Sequence, residues 1–324
     1  MKLFITGGTG FFGRALLRNL LSGESCYDHV TVLTRNPESF ISSYPDIAKS
    51  PLLSFIKGDV LASHRSWQGA SNSFDHIIHA ATESGISHEL NPMLLTRQIV
   101  QGTERLLEYA EKCDAERLLY ISSGAAYGAV PEGQLITETM HTAPDTLNPR
   151  SCYGNAKRLA ENLCFSEANR IGLECVVARC FSFVGCDMAI NNHFALGSFL
   201  KSIEKGVDIV IDSNGRSVRS YLDQGDLARA LLLLLAKGAP GQIYNVGSDE
   251  QITILRLAEL IREISATNVD IKVAGGNNIG FAPKWYVPDV SKLEGELGFR
   301  RRGSLTSSLS RIIGQSALRN QRPR

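Results

Sequence analysis

The chain has 324 residues, of which 43% are hydrophobic and 21% are charged, and its formal net charge is +1. This length suffices for one large or two closely joined domains with a sizeable core, and the composition is that of an ordinary globular protein. A net charge near zero gives no reason to expect binding to nucleic acid or to an acidic membrane.

Cysteine usage and hydropathy suggest where the protein works. Seven cysteines are present and no Cys-x-x-Cys motif occurs, which favours reduced thiols in a cytoplasmic protein. The longest apolar run, residues 227–236, is too short to span a bilayer and contains Arg229. Because a predicted strand begins at the N-terminus, we also expect no signal peptide.

The first predicted elements are a buried strand over residues 2–5, a glycine-rich turn and a helix over residues 14–21. The turn has the spacing Gly-x-x-Gly-x-x-Gly. This order is typical of a dinucleotide-binding unit, in which the glycines let the backbone approach a pyrophosphate and the helix N-terminus binds that anion. The predicted cofactor contacts of this segment are Thr6, Gly7, Gly10, Phe11, Phe12 and Gly13.

The second predicted strand, residues 29–33, ends without the acidic residue that often binds the adenosine ribose in such folds. Arg35 follows this strand, where the 2′-phosphate of NADP would lie. We therefore expect NADP (NADPH), with NAD as the less favoured cofactor. The alternative is that Arg35 merely begins a surface loop.

The third and fourth predicted strands, residues 53–60 and 74–81, also end in candidate cofactor contacts. An acidic residue after the third strand can accept a hydrogen bond from adenine or cap a turn, and small residues after the fourth let the backbone come close to the cofactor. The contacts predicted here are Asp59, Val60, Ala80, Ala81 and Thr82. His76 and His79 face opposite sides of the fourth strand, so we expect no metal site.

Six predicted strands alternate with helical segments over the first 180 residues or so. This alternation predicts an α/β fold with a doubly wound parallel sheet of the Rossmann type. We assign residues 1–179 and about 220–247 to the dinucleotide-binding domain, because a helix and a strand in the second range look like a return to the sheet. Residues of about 180–219 and 248–324 are assigned to a smaller substrate-binding lobe.

Three residues suggest acid–base chemistry. Tyr153 and Lys157 are four residues apart on a predicted helix, so they share one face. A phenol has a reference pKa of ~10, and a nearby ammonium favours the phenolate that acid–base work near neutral pH requires. Ser123 ends the fifth strand, where it would face the same crevice and polarise a carbonyl. A nicotinamide beside these groups would exchange hydride with a carbon whose oxygen exchanges a proton with Tyr153.

The chain resembles the extended short-chain dehydrogenase/reductase family over nearly its whole length. The matching segments are residues 6–13, residues 122–128, the Tyr-x-x-x-Lys pair, and Arg-Ser-Tyr at 219–221 followed by Asp226. The resemblance implies that Ser123, Tyr153 and Lys157 are catalytic, and that Tyr153 and Lys157 also contact the cofactor. It implies a nucleotide-diphosphate sugar as substrate, and a homodimer. The implied substrate contacts are Ser123, Gly124, Tyr153, Asn191, Asn192 and Arg219.

Departures from the family pattern narrow the expected activity. Sugar-nucleotide 4,6-dehydratases carry an acidic pair just after the hydroxyl residue of the fifth strand, whereas this chain has Gly124 and Ala125 there. Neither residue can transfer a proton, and the acid that decarboxylases keep in this region is also missing. The resemblance therefore implies NADPH-dependent reduction of the 4-keto group of a dTDP- or CDP-linked 4-keto-6-deoxy sugar. A nucleotide-sugar 4-epimerase with a recycled cofactor is the alternative, and a non-catalytic NADP sensor or scaffold is a third hypothesis.

Overall fold

A computed structural model describes residues 1–23, 25–67, 73–82, 91–188, 190, 194–275 and 284–320. The strands are β1 Lys2–Thr6, β2 His29–Thr34, β3 Leu53–Lys57, β4 His76–His79, β5 Arg117–Ser123, β6 Glu174–Cys180, β7 Phe183–Val184, β8 Ile209–Ile211, β9 Val218–Arg219, β10 Leu222–Asp223, β11 Gln242–Val246, β12 Ile252–Thr253, β13 Ile271–Val273 and β14 Trp285–Tyr286. The helices are α1 Phe11–Ser22, α2 Pro37–Ser43, α3 Pro45–Ala48, α4 Pro92–Lys112, α5 Cys152–Ile171, α6 Ala195–Lys205, α7 Gln224–Lys237, α8 Ile254–Ser265, α9 Ser291–Leu297 and α10 Leu305–Asn320.

Seven parallel strands form the central sheet in the order β11-β6-β5-β4-β1-β2-β3. The order reverses between β1 and β4, so the crevice beyond the carboxyl ends of these two strands is the place where such a sheet binds ligands. The predicted doubly wound parallel sheet is therefore confirmed. The return of the chain to the sheet is also seen, because β11 pairs in parallel with β6.

Each face of the sheet is covered by its own hydrophobic core. Leu3 and Ile5 of β1 point into a core that includes α1 and α7, whereas Phe4 between them points into a core that includes α4 and α5. Alternate side chains of one strand thus enter opposite layers. A strand buried on both faces must be apolar throughout, which is why β1 has a continuous apolar run rather than an alternating pattern.

Two parts of the first 180 residues differ from the predicted alternation. Between β3 and β4 the described residues contain only a single 3-10 turn, His64–Ser66, in place of a crossover helix. Between β2 and β3 there are two short helices, α2 and α3, each beginning at a proline. Proline fits the first turn of a helix because that turn has no intrahelical use for its N–H group.

A third core lies in the C-terminal half of the chain. It brings together α6, α8, α10 and β8 around Phe199, Leu257 and Leu309. β8 belongs to this core and pairs in parallel with β13. The division into a dinucleotide-binding domain and a substrate-binding lobe stays a prediction. Within the described residues, no helix combines the length and the apolar character needed to cross a membrane.

A buried ion pair joins α5 to β6 beneath the carboxyl ends of the strands. Arg179 donates to both carboxylate oxygens of Glu161, at 3.0 and 2.7 Å, and the Ser122 hydroxyl also donates to Glu161. The side chains of Arg179 and Glu161 are 7% and 5% exposed. Removing one partner of such a pair leaves an uncompensated charge in a medium of low dielectric constant.

We predict that Arg179→Met lowers the free energy of unfolding by about 3–5 kcal/mol, because the Glu161 carboxylate would lose its charged partner. The matched control is Arg170→Met, which removes an exposed arginine paired with Glu111 and Glu167 and should lower the free energy of unfolding far less. Urea unfolding followed by circular dichroism measures both. Equal losses in the two variants would contradict the prediction.

Candidate nicotinamide and substrate site

The glycine-rich turn after β1 is packed against the end of β4. Gly7 has φ +72°, and a Cβ atom on it would lie 2.5 Å from the carbonyl carbon of Ala80. A Cβ on Gly13 would lie 2.2 Å from the carbonyl carbon of Gly8. Neither position tolerates a side chain, since one backbone passes directly over another.

Gly10 stands in a different environment. It is exposed, its N–H donates to the Gly7 carbonyl at 3.1 Å, and a Cβ on it would meet only the Gly7 carbonyl oxygen, at 3.4 Å. It precedes the first residue of α1, whose first turn carries no acidic residue. The positive end of the helix dipole thus faces a glycine-rich turn that leaves its backbone accessible. Such a cradle fits a pyrophosphate.

The other predicted contacts of this segment line the start of α1. The Phe12 ring packs edge-on against Phe183 with ring centroids 5.0 Å apart, and the Phe11 carbonyl accepts from Gln224 at 3.4 Å. Arg14 and Arg18 form ion pairs with Asp187. These contacts tie α1 to the segment that follows β7, so the wall of the crevice is built from parts of the chain far apart in sequence.

Four predicted contacts lie at the carboxyl ends of β3 and β4. Asp59 Oδ1 accepts from the Leu61 N–H at 2.9 Å, so the turn-capping role considered for this residue is present. A Cβ on Gly102 of α4 would lie 3.2 Å from the Val60 side chain. The Ala80 N–H donates to the Thr6 carbonyl at 3.1 Å, and Ala81 follows it.

The predicted catalytic residues converge at the end of β5. Lys157 is 3% exposed, and its Nζ donates to Thr82 Oγ1 at 3.1 Å and to the Ile121 carbonyl at 2.8 Å. Ser123 is 8% exposed, and it is close enough to Tyr153 to influence the pKa of the phenol. The structure thus brings Ser123, Tyr153 and Lys157 together beside the end of β4.

The expectation that Lys157 lowers the pKa of Tyr153 is wrong. Burial raises the pKa of Tyr153 to about 12, and the hydrogen bond with Ser123 only partly opposes this rise. Lys157 Nζ lies 6.0 Å from the centroid of the Tyr153 ring and is directed at Thr82 and Ile121 instead. Burial lowers the pKa of Lys157 to about 8. The Tyr153 phenol therefore keeps its proton at neutral pH.

Sequence reasoning missed a buried polar contact beneath the glycine turn. His79 is 3% exposed, and its Nδ1 lies 2.7 Å from Thr6 Oγ1. Burial lowers the pKa of His79 to about 3, with a smaller contribution from the Lys157 charge. A neutral imidazole thus links the last residues of β1 and β4. His76 hydrogen-bonds Tyr27 instead, at 2.8 Å. Among the described residues, no group of three or more His, Cys, Asp or Glu side chains is arranged to hold a metal ion.

Only some of the predicted substrate contacts lie among the described residues. Arg219 is half-buried and donates to the Val218 carbonyl at 2.7 Å. Burial lowers its pKa, and in the part of the chain that the structure describes it forms no ion pair with a carboxylate. Such a guanidinium suits a phosphate ligand. Asn191 and Asn192 lie outside the described residues.

A residue without any sequence signal completes this side of the site. Tyr286 of β14 lies opposite Arg219 of β9 in the strand register. A Cβ on Gly124, the residue after Ser123, would lie 2.6 Å from the Tyr286 hydroxyl oxygen. Only the pairing of β14 with β9 brings a tyrosine from near the C-terminus to the end of β5.

The chain is similar in sequence to a family of known proteins. The family model described as "NAD dependent epimerase/dehydratase family" matches residues 3–247. A dTDP-glucose 4,6-dehydratase of Actinoplanes sp. is 26% identical over 327 residues, covering 97% of each chain. UDP-glucuronic acid decarboxylase 6 of Arabidopsis thaliana is 28% identical over 313 residues, covering 95% of this chain and 87% of the relative.

Solved structures share the fold along nearly the whole chain. The dTDP-glucose 4,6-dehydratase DesIV from Streptomyces venezuelae, with NAD bound, has a TM-score of 0.86 at 24% identity and covers 99% of this chain and 98% of its own. The UDP-glucuronic acid 4-epimerase from Bacillus cereus, in complex with UDP-glucuronic acid and NAD, has a TM-score of 0.82 at 22% identity and covers 97% and 99%.

The expectation that NADP is preferred over NAD is wrong. The matching family is described as NAD dependent, and the similar dehydratase and epimerase structures hold NAD. The physical reason lies at the end of β2, where Arg35 is exposed and the first turn of α2 carries the acidic Glu38. An exposed guanidinium, whose charge is screened by solvent, does not by itself make a selective site for a 2′-phosphate.

We predict that Gly10→Ala leaves the fold intact but weakens NAD binding at least about tenfold, because a methyl group would stand where the pyrophosphate approaches. The backbone at Gly10, φ −78° and ψ −174°, suits alanine. Gly295→Ala in α9, where a Cβ meets nothing within 4 Å, is the control and should bind NAD normally. Thermal unfolding and NAD titration by calorimetry test this. Normal NAD affinity of Gly10→Ala would contradict the assignment.

We predict that Lys157 makes the free energy of unfolding depend on pH. Its pKa is about 8 in the fold against 10.5 in the unfolded chain, so the unfolded state binds more protons between these values and the free energy of unfolding rises with pH. Relative to Lys157→Met, the wild type should gain about 2 kcal/mol between pH 8 and pH 10. The raised pKa of Tyr153 removes stability only above pH 10. Urea unfolding at several pH values measures this, with the exposed Lys205→Met as control. A parallel pH course for wild type and Lys157→Met would contradict it.

Proposed function

Because this chain belongs to the NAD dependent epimerase/dehydratase family, a group of nucleotide-sugar enzymes of the extended short-chain dehydrogenase/reductase type, we propose that it is a nucleotide-sugar 4-epimerase that keeps its NAD. The substrate is a sugar attached to a nucleoside diphosphate. Oxidation at one carbon and return of the hydride to the other face of the same carbon invert one hydroxyl group without net redox change.

The observation that supports epimerisation is the lack of space for an acid at residue 124. A Cβ there would lie 2.6 Å from the Tyr286 hydroxyl oxygen and 2.8 Å from the Phe181 ring. A carboxylate side chain therefore cannot be added without displacing two aromatic residues. Elimination of water needs a further proton donor and acceptor beside the sugar. The phenol of Tyr153, the ammonium of Lys157 and the hydroxyl of Ser123 would support hydride transfer and proton transfer at a single carbon.

The residues at the end of β5 have separate tasks in this proposal. Tyr153 takes the proton from the sugar hydroxyl during oxidation and returns it during reduction. The Ser123 hydroxyl binds the same oxygen and holds it in place. Lys157 is anchored by Thr82 and the Ile121 carbonyl, so its ammonium stays in a fixed position near the nicotinamide ribose. Bound NAD supplies the acceptor and donor of hydride.

The turn after β1 would hold the cofactor, and strand β9 would hold the nucleotide sugar. The cradle at Gly7, Gly10 and Gly13 fits the pyrophosphate of NAD, as argued above. Arg219 would bind the diphosphate of the sugar nucleotide, because its guanidinium is half-buried and forms no ion pair with a carboxylate among the described residues. The sugar then lies between these two anchors, beside Ser123 and Tyr153.

Reduction of a nucleotide-linked 4-keto-6-deoxy sugar is the second candidate. The segment at residues 122–128 favours it, since its Ser-Ser-Gly-Ala-x-Tyr-Gly form resembles that of such reductases. The same phenol, hydroxyl and ammonium would act in one direction only, with NADH as the hydride donor. A reductase consumes one reduced cofactor per product, whereas an epimerase consumes none.

The experiment incubates purified protein with UDP-, dTDP- and CDP-glucose and with UDP-glucuronic acid, and analyses products by NMR. We expect one sugar to be inverted with no net change at 340 nm, and Tyr153→Phe to lower kcat at least about 100-fold. NADH loss with a 4-keto-6-deoxy sugar nucleotide would favour the second candidate. Formation of a 4-keto-6-deoxy product or of carbon dioxide would overturn the proposal.

A further inference from the structure

We infer that Asp187 is a positioning residue for the cofactor: it holds Arg14 against the glycine-rich turn after β1, so that the turn keeps the shape in which it binds a pyrophosphate. The inference deepens the proposed function and rests on it, because NAD is taken as the ligand of this turn. The evidence is a set of hydrogen bonds that joins the turn, the start of α1, the segment after β7 and the start of α7.

The guanidinium of Arg14 contacts the glycine-rich turn directly. Arg14 Nη1 donates to the Thr9 carbonyl at 2.8 Å, and the same peptide unit contains the Gly10 N–H. Because a trans peptide is planar, a contact that fixes the Thr9 carbonyl also fixes the direction of the Gly10 N–H. A side chain of α1 therefore sets the orientation of one peptide of the cradle.

Asp187 binds the other side of the same guanidinium. Arg14 Nη2 donates to the Asp187 carbonyl at 2.7 Å, and Arg14 Nε lies 3.2 Å from Asp187 Oδ1. The guanidinium carbon also lies 5.0 Å from the centroid of the Tyr44 ring. A free arginine side chain has many rotamers, whereas Arg14 is fixed by Asp187 and Tyr44 in the one position that reaches Thr9.

Asp187 is itself held by its neighbours through both its backbone and its carboxylate. Gln224 Nε2 donates to Asp187 Oδ2 at 2.7 Å, and Gln224 Oε1 accepts from the Asp187 N–H at 3.2 Å. Arg18 Nη2 donates to Asp187 Oδ1 at 3.2 Å. Desolvation opposes the charge of this carboxylate, yet the hydrogen bonds from Arg18 and Gln224 lower the pKa of Asp187. Asp187 is therefore an anion at neutral pH.

The packing around Gln224 makes this support rigid. Gln224 is the first residue of α7 and is 8% exposed, and its amide also donates to the Phe11 carbonyl at 3.4 Å. A Cβ on Gly185 would lie 2.3 Å from Gln224 Oε1. A side chain at residue 185 would thus displace the amide that holds Asp187, and the glycine there allows the contact.

Loss of the Asp187 charge has two possible effects on NAD binding, and they have opposite signs. If Asp187 acts by positioning, binding becomes weaker, because Arg14 no longer fixes the Thr9 peptide. If Asp187 acts only as a charge, binding becomes tighter, because Arg14 and Arg18 lose a counter-charge close to an anionic ligand. The sign of the change in NAD affinity therefore distinguishes the two roles.

The binding test titrates NAD by calorimetry into full-length protein from which bound nucleotide has been removed. We expect Asp187→Asn and Arg14→Met each to weaken NAD binding about tenfold, the effect of losing a hydrogen bond from a charged group. Arg18→Met is the matched control, because Arg18 also pairs with Asp187 but extends to the exposed Asp46. Its NAD affinity should change less than about twofold.

Two outcomes of this titration would overturn the inference. One is unchanged or tighter NAD binding in Asp187→Asn. The other is an equal loss of affinity in Arg14→Met and Arg18→Met, since a merely structural role of the ion pairs would affect both variants alike. Thermal unfolding shows which variants fold, and where Asp187→Asn does not fold, the comparison of the two arginine variants decides.

A double-mutant cycle tests whether Asp187 acts through Arg14. In the Arg14→Met background, Asp187→Asn should weaken NAD binding by less than about a further twofold, because both changes remove the same contact with Thr9. Full multiplication of the two single losses would mean that the residues act independently, and would overturn the inference.

A readout without NAD keeps the inference apart from the proposed function. Thr-Gly occurs only at residues 6–7 and 9–10, so threonine labelled with 13C at its carbonyl and glycine labelled with 15N give one NMR correlation for Gly7 and one for Gly10. The correlation missing from Gly10→Ala is that of Gly10. It should move in Asp187→Asn and Arg14→Met and stay in place in Arg18→Met.

The two failures are thereby distinguishable. If the wild type binds no NAD, the proposed function fails, while the NMR comparison still decides whether Asp187 positions the turn. If the wild type binds NAD but the Gly10 correlation is unmoved in Asp187→Asn, the inference alone is overturned.

Discussion

The structure depends on the close passage of the turn after β1 over the end of β4. Gly7 adopts a left-handed backbone, and its Cα faces the Ala80 carbonyl with no room for a side chain. Below this contact Thr6 and His79 hydrogen-bond inside the sheet. The two central strands therefore end at the same level, and the crevice opens where their order reverses. Cofactor cradle and catalytic residues are adjacent because this contact exists.

Lys157 connects the ends of β4 and β5 to the helix that carries Tyr153. Its ammonium is desolvated, which costs stability at neutral pH, and it contacts Thr82 after β4 and the Ile121 carbonyl of β5. A residue placed for stability alone would not bring a charge into such a position. Its fixed ammonium is one turn of α5 from Tyr153, so the helix, two strands and the phenol form one unit. A stability cost of this kind is usual at sites that must be preorganised.

The packing around residue 124 limits which reactions the site can support. Relatives of this chain include dehydratases and decarboxylases, yet the space beside Ser123 is occupied here by two aromatic residues. In the proposed reaction, Tyr286 and Phe181 leave the phenol of Tyr153 as the group that exchanges protons with the substrate. Packing rather than charge thus limits the chemistry, since an acidic side chain has no volume to enter.

The sequence by itself determined the sheet, the glycine turn and the three residues at the end of β5 and on α5. These are local patterns: a continuous apolar run for a strand buried on both faces, fixed glycine spacing, and a four-residue interval on one helix face. It failed at Arg35, because an exposed charge does not reveal which ligand it meets. Only the tertiary structure decided the pKa of Tyr153, the neutral His79 beneath the turn, and the contact of Tyr286 with Gly124. Those properties depend on burial and on the pairing of β14 with β9, which joins residues 67 positions apart and leaves no periodic trace along the chain.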